Sequence, residues 1–253
     1  MTKIIAVFNQ SGGVMKTSLT MNIGYHLKQR KQSVLLVDLD PQASLTAFMG
    51  LEPADLEQTI ANAILKDEPI PIHRDIHGMD LAPSNIMLSA AEIQLSSMMS
   101  REWRLSKALE SVKAEYDFIL IDAPPSLGVL SVLSLVAATH VLIPVQTQYK
   151  SYKGTELLLD TIQQVKSNVR PDLRIAGIVP TIYAANNAQD KDILSAIQSQ
   201  LSQVGMIHPP VPRATAFADA SMEHLPLALF SRKHAATKVL DDIAKSLVED
   251  LDD

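Results

Sequence analysis

Short apolar runs rich in β-branched residues recur along the chain, and the segments between them have helical spacing. The runs are continuously apolar rather than alternating, which is typical of strands buried on both faces of a sheet. In chain order they read KIIAVF, SVLLVDL, MDLAPS, DFILIDA, HVLIPV and RIAGIVP. The intervening segments place apolar residues on one helical face, as in Leu19, Ile23 and Leu27. This alternation predicts an α/β fold with a doubly wound, mostly parallel sheet and helices on both faces.

The chain has no internal repeat and no low-complexity linker that would divide it. Its 253 residues are 47% hydrophobic, which is enough apolar material for one sizeable core. The segment from residue 51 to residue 75 is the hardest to assign, because Pro53, Pro69 and Pro71 limit helices there. We therefore predict one domain over residues 1–253.

Composition narrows the classes of protein that fit this sequence. Cysteine is absent, which excludes disulfides, thiolate metal sites and cysteine nucleophiles. No apolar run is long enough for a membrane span or a secretory leader, so we expect a soluble, cytoplasmic protein without a membrane partner. A formal net charge of −6 argues against a generally basic nucleic-acid binder, so any DNA contact must be regional.

The loop after the first predicted strand has the residues of a phosphate-binding turn. In doubly wound sheets, ligands bind at the carboxyl ends of the strands. Residues 12–17 read GGVMKT: the glycines let backbone N–H groups approach phosphate oxygens, Lys16 adds a full positive charge and Thr17 has a hydroxyl for Mg²⁺. The general pattern G-x-x-x-x-G-K-[S/T] fails, since Gln10 and Met15 occupy its glycine positions. Taken alone, an ordinary strand-to-helix turn is an equally good interpretation.

Acidic residues follow two further predicted strands. Asp38 and Asp40 alternate after SVLLV and suit Mg²⁺ hydration and water positioning, although a solvated turn has the same composition. Asp122 ends the run FILID, as the metal-binding carboxylate of a Walker B strand does. Because all three features fall at one edge of the predicted sheet, together they favour a magnesium–nucleotide site.

These motifs resemble the ParA/MinD family of deviant-Walker ATPases, a group of P-loop NTPases, and the ParA branch more than MinD. The family loop K-G-G-x-x-K-[S/T] accepts Met15, and VDLDPQAS, YDFILIDAPPSLGVL, VLIPVQTQY and VPRATAFADASMEHLPL resemble further family blocks. The acidic end TKVLDDIAKSLVEDLDD does not resemble the membrane-targeting helix of MinD-like proteins. The resemblance implies a ParA-like ATPase with ATP and Mg²⁺, an ATP-dependent homodimer, non-specific DNA binding with nucleoid association, and an adaptor protein that stimulates slow hydrolysis.

The resemblance also implies roles for individual residues. Lys16 would bind the β- and γ-phosphates and act in catalysis with Asp40, which would position the attacking water. Thr17, Asp38 and Asp122 would hold Mg²⁺. The implied nucleotide-binding residues are Ser11, Gly12, Gly13, Val14, Met15, Lys16, Thr17, Ser18, Pro212 and Arg213.

One residue departs from the family. Ser11 stands where the signature lysine reaches the nucleotide of the partner subunit. A cation supplied in trans is worth roughly 10³ to 10⁵ in rate, so the enzyme is slow, has lost hydrolysis, or uses another cation. We favour replacement by Lys150, ahead of Lys153: both follow the strand HVLIPV where a helix begins, and cations there oppose the helix dipole. Exposed lysines without a role are the alternative.

The serine is similar to that of a branch of the family that positions carboxysomes, and this gives the leading hypothesis for the cargo. Plasmid or chromosome partition is the alternative, as is an ATP-gated DNA-binding scaffold with little turnover. A metabolic enzyme on the same fold is a third class, and the lack of cysteine for an iron–sulfur cluster argues against it.

A basic strip near the C-terminus is the candidate DNA surface. It contains Arg232, Lys233 and Lys238, whose phosphate contacts would be independent of sequence and sensitive to salt. Asp241 and Asp242 interrupt the strip, so a merely solvated helix face is an equal alternative.

Overall fold

The computed structural model describes residues 1–148 and 154–251, which form a seven-stranded sheet with helices packed on both faces. The spatial order of the strands is β3-β4-β2-β5-β1-β6-β7. Every neighbouring pair is parallel except β3 and β4. The predicted doubly wound, mostly parallel sheet is therefore confirmed. The strands are β1 Lys3–Val7, β2 Val34–Asp38, β3 His73–Ile76, β4 Met79–Ala82, β5 Phe118–Asp122, β6 His140–Gln146 and β7 Arg174–Thr181.

The helices of the described ranges lie mainly between consecutive strands. They are α1 Lys16–Gln29, α2 Ser44–Phe48, α3 Ile60–Lys66, α4 Met87–Ser96, α5 Arg104–Glu110, α6 Val129–Ala137, α7 Thr155–Asn168, α8 Ala188–Leu201, α9 Ala216–Met222, α10 Leu227–Phe230 and α11 Ala235–Glu249. Within these ranges, no helix combines the length and the apolar character needed to cross a membrane.

Alternate residues of the central strands face two different helical layers, as the period of a strand requires. Ile5 and Leu36 pack in a cluster that includes side chains of α1 and α11. Ile4 and Leu35 face the other layer, which is built from α3, α4, α5 and α6. Burial on both faces explains why these strands read as continuous apolar runs.

Two elements in the segment from residue 51 to residue 76 were not predicted from the sequence. Helix α3 fits between the prolines because Thr59 caps it: the Thr59 hydroxyl accepts a hydrogen bond from Ala61 N at 3.4 Å, and Asn62 Oδ1 accepts one from Thr59 N at 3.0 Å. Strand β3 reads HRDI and adds an antiparallel edge. As a result, Asp122 ends the fifth strand of the chain rather than the fourth.

The strand register places the ends of β1, β2 and β5 side by side. Val7 is opposite Asp122 in the β1–β5 pair, and Asp38 is opposite Asp122 in the β2–β5 pair. The loops that follow these strands therefore open at one edge of the sheet. This edge is where ligands of such folds bind.

Candidate functional site

The loop between β1 and α1 has a glycine-like backbone at two positions. Gly13 has φ of 73°, and Met15 has φ of 71°. Met15 stands where the general phosphate-binding pattern has glycine, and a left-handed backbone at a residue with a side chain costs about 1 kcal/mol. Met15 thus adopts the backbone conformation that glycine normally provides. The loop keeps its phosphate-binding shape although the sequence does not match the general pattern.

Residues that the motifs do not contain hold this loop against neighbouring strands. Asn9 Nδ2 donates to the carbonyl of Pro144 in β6 at 2.6 Å, and Asn9 Oδ1 accepts from Ser11 N at 2.8 Å. Thr181, at the end of β7, donates from its hydroxyl to the carbonyl of Val14 at 3.2 Å. These contacts order the loop before any ligand binds. The loop therefore loses less conformational entropy when a ligand binds.

Lys16 lies buried between the loop and the acidic strand ends. Its side-chain Nζ donates to the carbonyl of Ser11 at 2.9 Å, and the residue is only 6% exposed. Burial lowers the pKa of the Lys16 ammonium, while the charges of Asp122 and Asp40 act in the opposite direction. The structure therefore brings the lysine and the two acids into one electrostatic cluster.

Asp122 is a buried carboxyl without ordinary hydrogen-bond partners. It is 1% exposed, and neither of its side-chain oxygens meets the geometry of a hydrogen bond within the described residues. Burial, followed by the charge of Asp38, raises the pKa of Asp122, and the Thr17 hydroxyl and Lys16 act in the opposite direction. A buried charged group of this kind is costly unless a cation compensates it.

The chemistry of this carboxyl fits a magnesium ion held together with phosphates. Mg²⁺ usually binds through one or two carboxylates and substrate phosphate oxygens. In the described part of the chain, no three histidine, aspartate or glutamate side chains are close enough to hold a metal by themselves. Thr17 and Asp122 would therefore hold Mg²⁺ only together with a nucleotide.

Asp38 has the same burial as Asp122 but different surroundings. It is fully buried, yet its Oδ2 accepts hydrogen bonds from the hydroxyl and the N–H of Thr46 at 2.7 and 2.8 Å. Its Oδ1 accepts from Asp40 N at 3.1 Å. Burial raises the pKa of Asp38 to about 6, and the bonds from Thr46 oppose this rise. Asp38 therefore supports the turn that carries Asp40, and its role in holding Mg²⁺ stays a prediction.

Asp40 itself lies at the opening of the site and is partly exposed. Its Oδ1 accepts from Gln42 N at 2.9 Å, and its carbonyl accepts from the Ser84 hydroxyl at 2.9 Å. A carboxylate at this position faces the cluster around Lys16, where it contributes to the charge that Lys16 experiences. It can therefore act on a group bound at the loop.

A cavity of about 300 Å³ lies beside the start of α1. Arg213, predicted to pack on the adenine, lines it, and Arg213 N donates to the carbonyl of Tyr183 at 2.9 Å. Pro212 pairs with Tyr183 in an isolated bridge next to it. The residues that line the cavity are Met15, Ser18, Phe48, Ile182, Arg213, Ala214, Phe217, Ala218 and Ser221. It is mostly apolar, as an aromatic base requires.

The candidate DNA-binding residues share one cleft of about 820 Å³ between α1 and the start of α11. Arg232, Lys233 and Lys238 are exposed along it, and His26 and Asp241 also line it. Helix α1 starts at the phosphate loop with Lys16 and reaches this cleft at Tyr25, so about 14 Å of helix separates the two. The sequence identified the basic residues but not α1 as the opposite wall.

The candidate replacement cations, Lys150 and Lys153, lie outside the described residues. Gly154, the next described residue, accepts a hydrogen bond from Gln10 Nε2 of the phosphate loop at 2.6 Å.

Known proteins are similar to this chain over most of its length. A family described as an AAA domain matches residues 2–175. The sporulation initiation inhibitor protein Soj of Bacillus subtilis is 36% identical over 98% of both chains. A Mycobacterium smegmatis structure described as cobyrinic acid a,c-diamide synthase with an ATP analogue and magnesium is 33% identical, with a TM-score of 0.89 over 98% of this chain and 94% of that one.

Another solved structure has the same fold at lower sequence identity. An ATP complex of McdA from Cyanothece superimposes with a TM-score of 0.86 over 98% of this chain and 96% of that one, at 22% identity, which shows a shared fold alone. With the phosphate loop, the buried Asp122 and full-length similarity to Soj, this chain belongs to the ParA/MinD family of deviant-Walker ATPases, which use ATP and Mg²⁺.

Proposed function

We propose that this chain acts as a single-domain ParA-type ATPase that dimerises around ATP, binds DNA without sequence preference and positions a cargo through an adaptor that stimulates hydrolysis. The observation that carries the nucleotide role is the convergence of Lys16, Asp40 and Asp122 where β1, β2 and β5 end. We further propose a cytoplasmic, nucleoid-associated protein.

In this proposal each residue has one task in hydrolysis. Bound Mg²⁺ neutralises charge that develops on the phosphate oxygens. Lys16 would bind the β- and γ-phosphates, and Thr17, Asp38 and Asp122 would hold the metal. Asp40 would accept a hydrogen bond from the attacking water and orient it. The base would lie in the cavity that Arg213 lines.

DNA binding would use the cleft between α1 and α11. In the proposed switch, ATP stabilises a dimer that presents two such clefts, and hydrolysis removes the contacts that hold the dimer together. Two clefts on one dimer would bind DNA more tightly than one, because the second contact becomes intramolecular.

An Arg232→Glu variant tests the cleft. We expect DNA affinity in the presence of ATP to fall at least about tenfold on any duplex. The slope of log affinity against log salt concentration should become shallower by about one for each phosphate contact that is lost. Fluorescence anisotropy with two unrelated duplexes at several salt concentrations measures both quantities. Lys191→Glu is the matched control, since it makes the same charge change at an exposed position of α8. Equal DNA affinities for Arg232→Glu and the parent would rule out the cleft.

The missing signature lysine predicts a change in turnover when it is restored. Ser11 lies in the phosphate loop, where its carbonyl accepts from Lys16. A Ser11→Lys variant adds a cation beside the phosphates, so its steady-state phosphate release should differ from the parent's. Unchanged kinetics would show that position 11 does not face the reacting phosphates. We propose Lys150 as the present replacement, so Lys150→Ala should slow turnover, with Lys153→Ala measured beside it.

The cargo is proposed from resemblance alone. Carboxysome positioning is the leading candidate, and plasmid or chromosome partition is the second. Whether a carboxysome adaptor or a centromere-binding protein is encoded beside this chain discriminates between them. Phosphate release with and without DNA and that adaptor separates both from a DNA-binding scaffold with little turnover.

A further inference from the structure

Two fully buried hydroxyl groups lie behind the turn that carries Asp40. Thr46 is in α2 and Ser84 follows β4, and each is 0% exposed. Neither residue belongs to a phosphate or metal motif. Buried hydroxyls are costly unless they are hydrogen-bonded, so what they contact indicates what they do.

The two hydroxyls join one hydrogen-bonded chain. The Thr46 hydroxyl donates to Asp38 Oδ2 at 2.7 Å and accepts from Ser84 N at 2.9 Å. The Ser84 hydroxyl donates to the carbonyl of Asp40 at 2.9 Å. Asp38 Oδ1 in turn accepts from Asp40 N at 3.1 Å.

These linked hydrogen bonds fix the backbone of Asp40 at both of its polar groups. The N–H of Asp40 is held by Asp38, and its carbonyl is held by Ser84. A solvated turn would leave these groups to water, whereas here Asp38 at the end of β2 and Ser84 after β4 supply side-chain partners. The Asp40 carbonyl also accepts from Ala43 N within the turn at 2.9 Å. The direction in which the Asp40 carboxylate leaves the backbone is thereby restricted.

We propose that Ser84 and Thr46 are positioning residues for hydrolysis, which hold the Asp40 turn so that its carboxylate meets the attacking water. The proposal rests on the catalytic role proposed for Asp40. Small displacements of a catalytic group slow the chemical step, so these residues govern kcat rather than ATP affinity.

The test compares Ser84→Ala and Thr46→Val with their conservative counterparts. We expect kcat for ATP hydrolysis to fall about 10- to 100-fold in both variants, with the affinity for ATP within about twofold of the parent. Ser84→Thr and Thr46→Ser, which keep a hydroxyl, should recover most of the rate. Ser134→Ala is the matched control, because it removes another fully buried serine hydroxyl, which donates to the carbonyl of Ser131 within the same helix α6.

A double-variant cycle separates this proposal from the proposed function. If Ser84 acts through Asp40, Ser84→Ala has no further effect on kcat in an Asp40→Ala background. Loss of turnover in Asp40→Ala with an unchanged kcat in Ser84→Ala overturns the positioning role and leaves the catalytic role of Asp40 intact. An unchanged kcat in Asp40→Ala overturns the catalytic role itself. A fall in kcat that the Ser134→Ala control matches assigns the effect to lost packing and overturns the positioning role.

Discussion

A Lys16→Ala variant should bind ATP at least about 100-fold more weakly than the parent and hydrolyse none at a measurable rate. The Lys16 ammonium is buried, is held by the Ser11 carbonyl and lies in the field of Asp122 and Asp40. Hydrogen bonds to charged groups are worth about 1.5–3 kcal/mol each, and a phosphate-loop lysine makes them to two phosphates. Its loss also leaves the acidic cluster to repel the triphosphate.

Isothermal titration calorimetry with ATP and Mg²⁺ measures this loss directly. Lys191→Ala, at an exposed position of α8, is the control for removing one lysine elsewhere, and it should bind like the parent. Thermal unfolding of the apo proteins shows whether Lys16→Ala is folded. Parent-like ATP affinity in a folded Lys16→Ala protein would mean that the phosphates bind elsewhere.

A Gly177→Ala variant should lose about 3 kcal/mol or more of folding stability. Gly177 is in β7 at an irregularity in its pairing with β6 and has φ of 149°, which a residue with a side chain adopts only with strain. A Cβ atom there would overlap the imidazole of His208, with Cδ2 at 2.6 Å, and would lie 3.1 Å from the carbonyl oxygen of Met206. Strain and overpacking each cost about 1–3 kcal/mol.

Urea unfolding of Gly177→Ala beside Gly177→Ala/His208→Ala separates the two causes. Removing the imidazole relieves the overlap but not the backbone strain, so the double variant should lie between the single variant and the parent after the cost of His208→Ala alone is subtracted. Parent-like stability of Gly177→Ala would show that the strand has room there and that the backbone at position 177 is not strained by a side chain.

The sheet was largely predictable because its central strands carry their own signal. Buried on both faces, β1, β2 and β5 read as continuous apolar runs, and the acids that end β2 and β5 stand out. The edge strand β3 was missed because HRDI is polar and only partly buried, so it has no hydrophobic pattern to detect. Helix α3 was missed because the prolines around it hid the cap at Thr59.

The candidate site could be predicted from the sequence where its residues belong to a short local motif. It could not be predicted where a residue acts through a partner that is distant in the sequence. Lys16 and Asp122 were identified by motif. Thr181, however, meets Val14 across 167 residues, and Ser84 meets Asp40 across 44. A serine or threonine hydroxyl can both donate and accept, and its partners are set by the tertiary fold. No local sequence pattern therefore distinguishes the hydroxyls of Thr181 and Ser84 from other buried hydroxyls.

A crystal structure with a non-hydrolysable ATP analogue and Mg²⁺ tests the central claim most directly. We predict a triphosphate in the loop of residues 12–17, with Lys16 Nζ bonded to its β- and γ-phosphates, Mg²⁺ beside Thr17 and Asp122, and the Asp40 carboxylate facing the γ-phosphate. A nucleotide bound at another edge of the sheet, or Mg²⁺ held away from Asp122, would contradict the account.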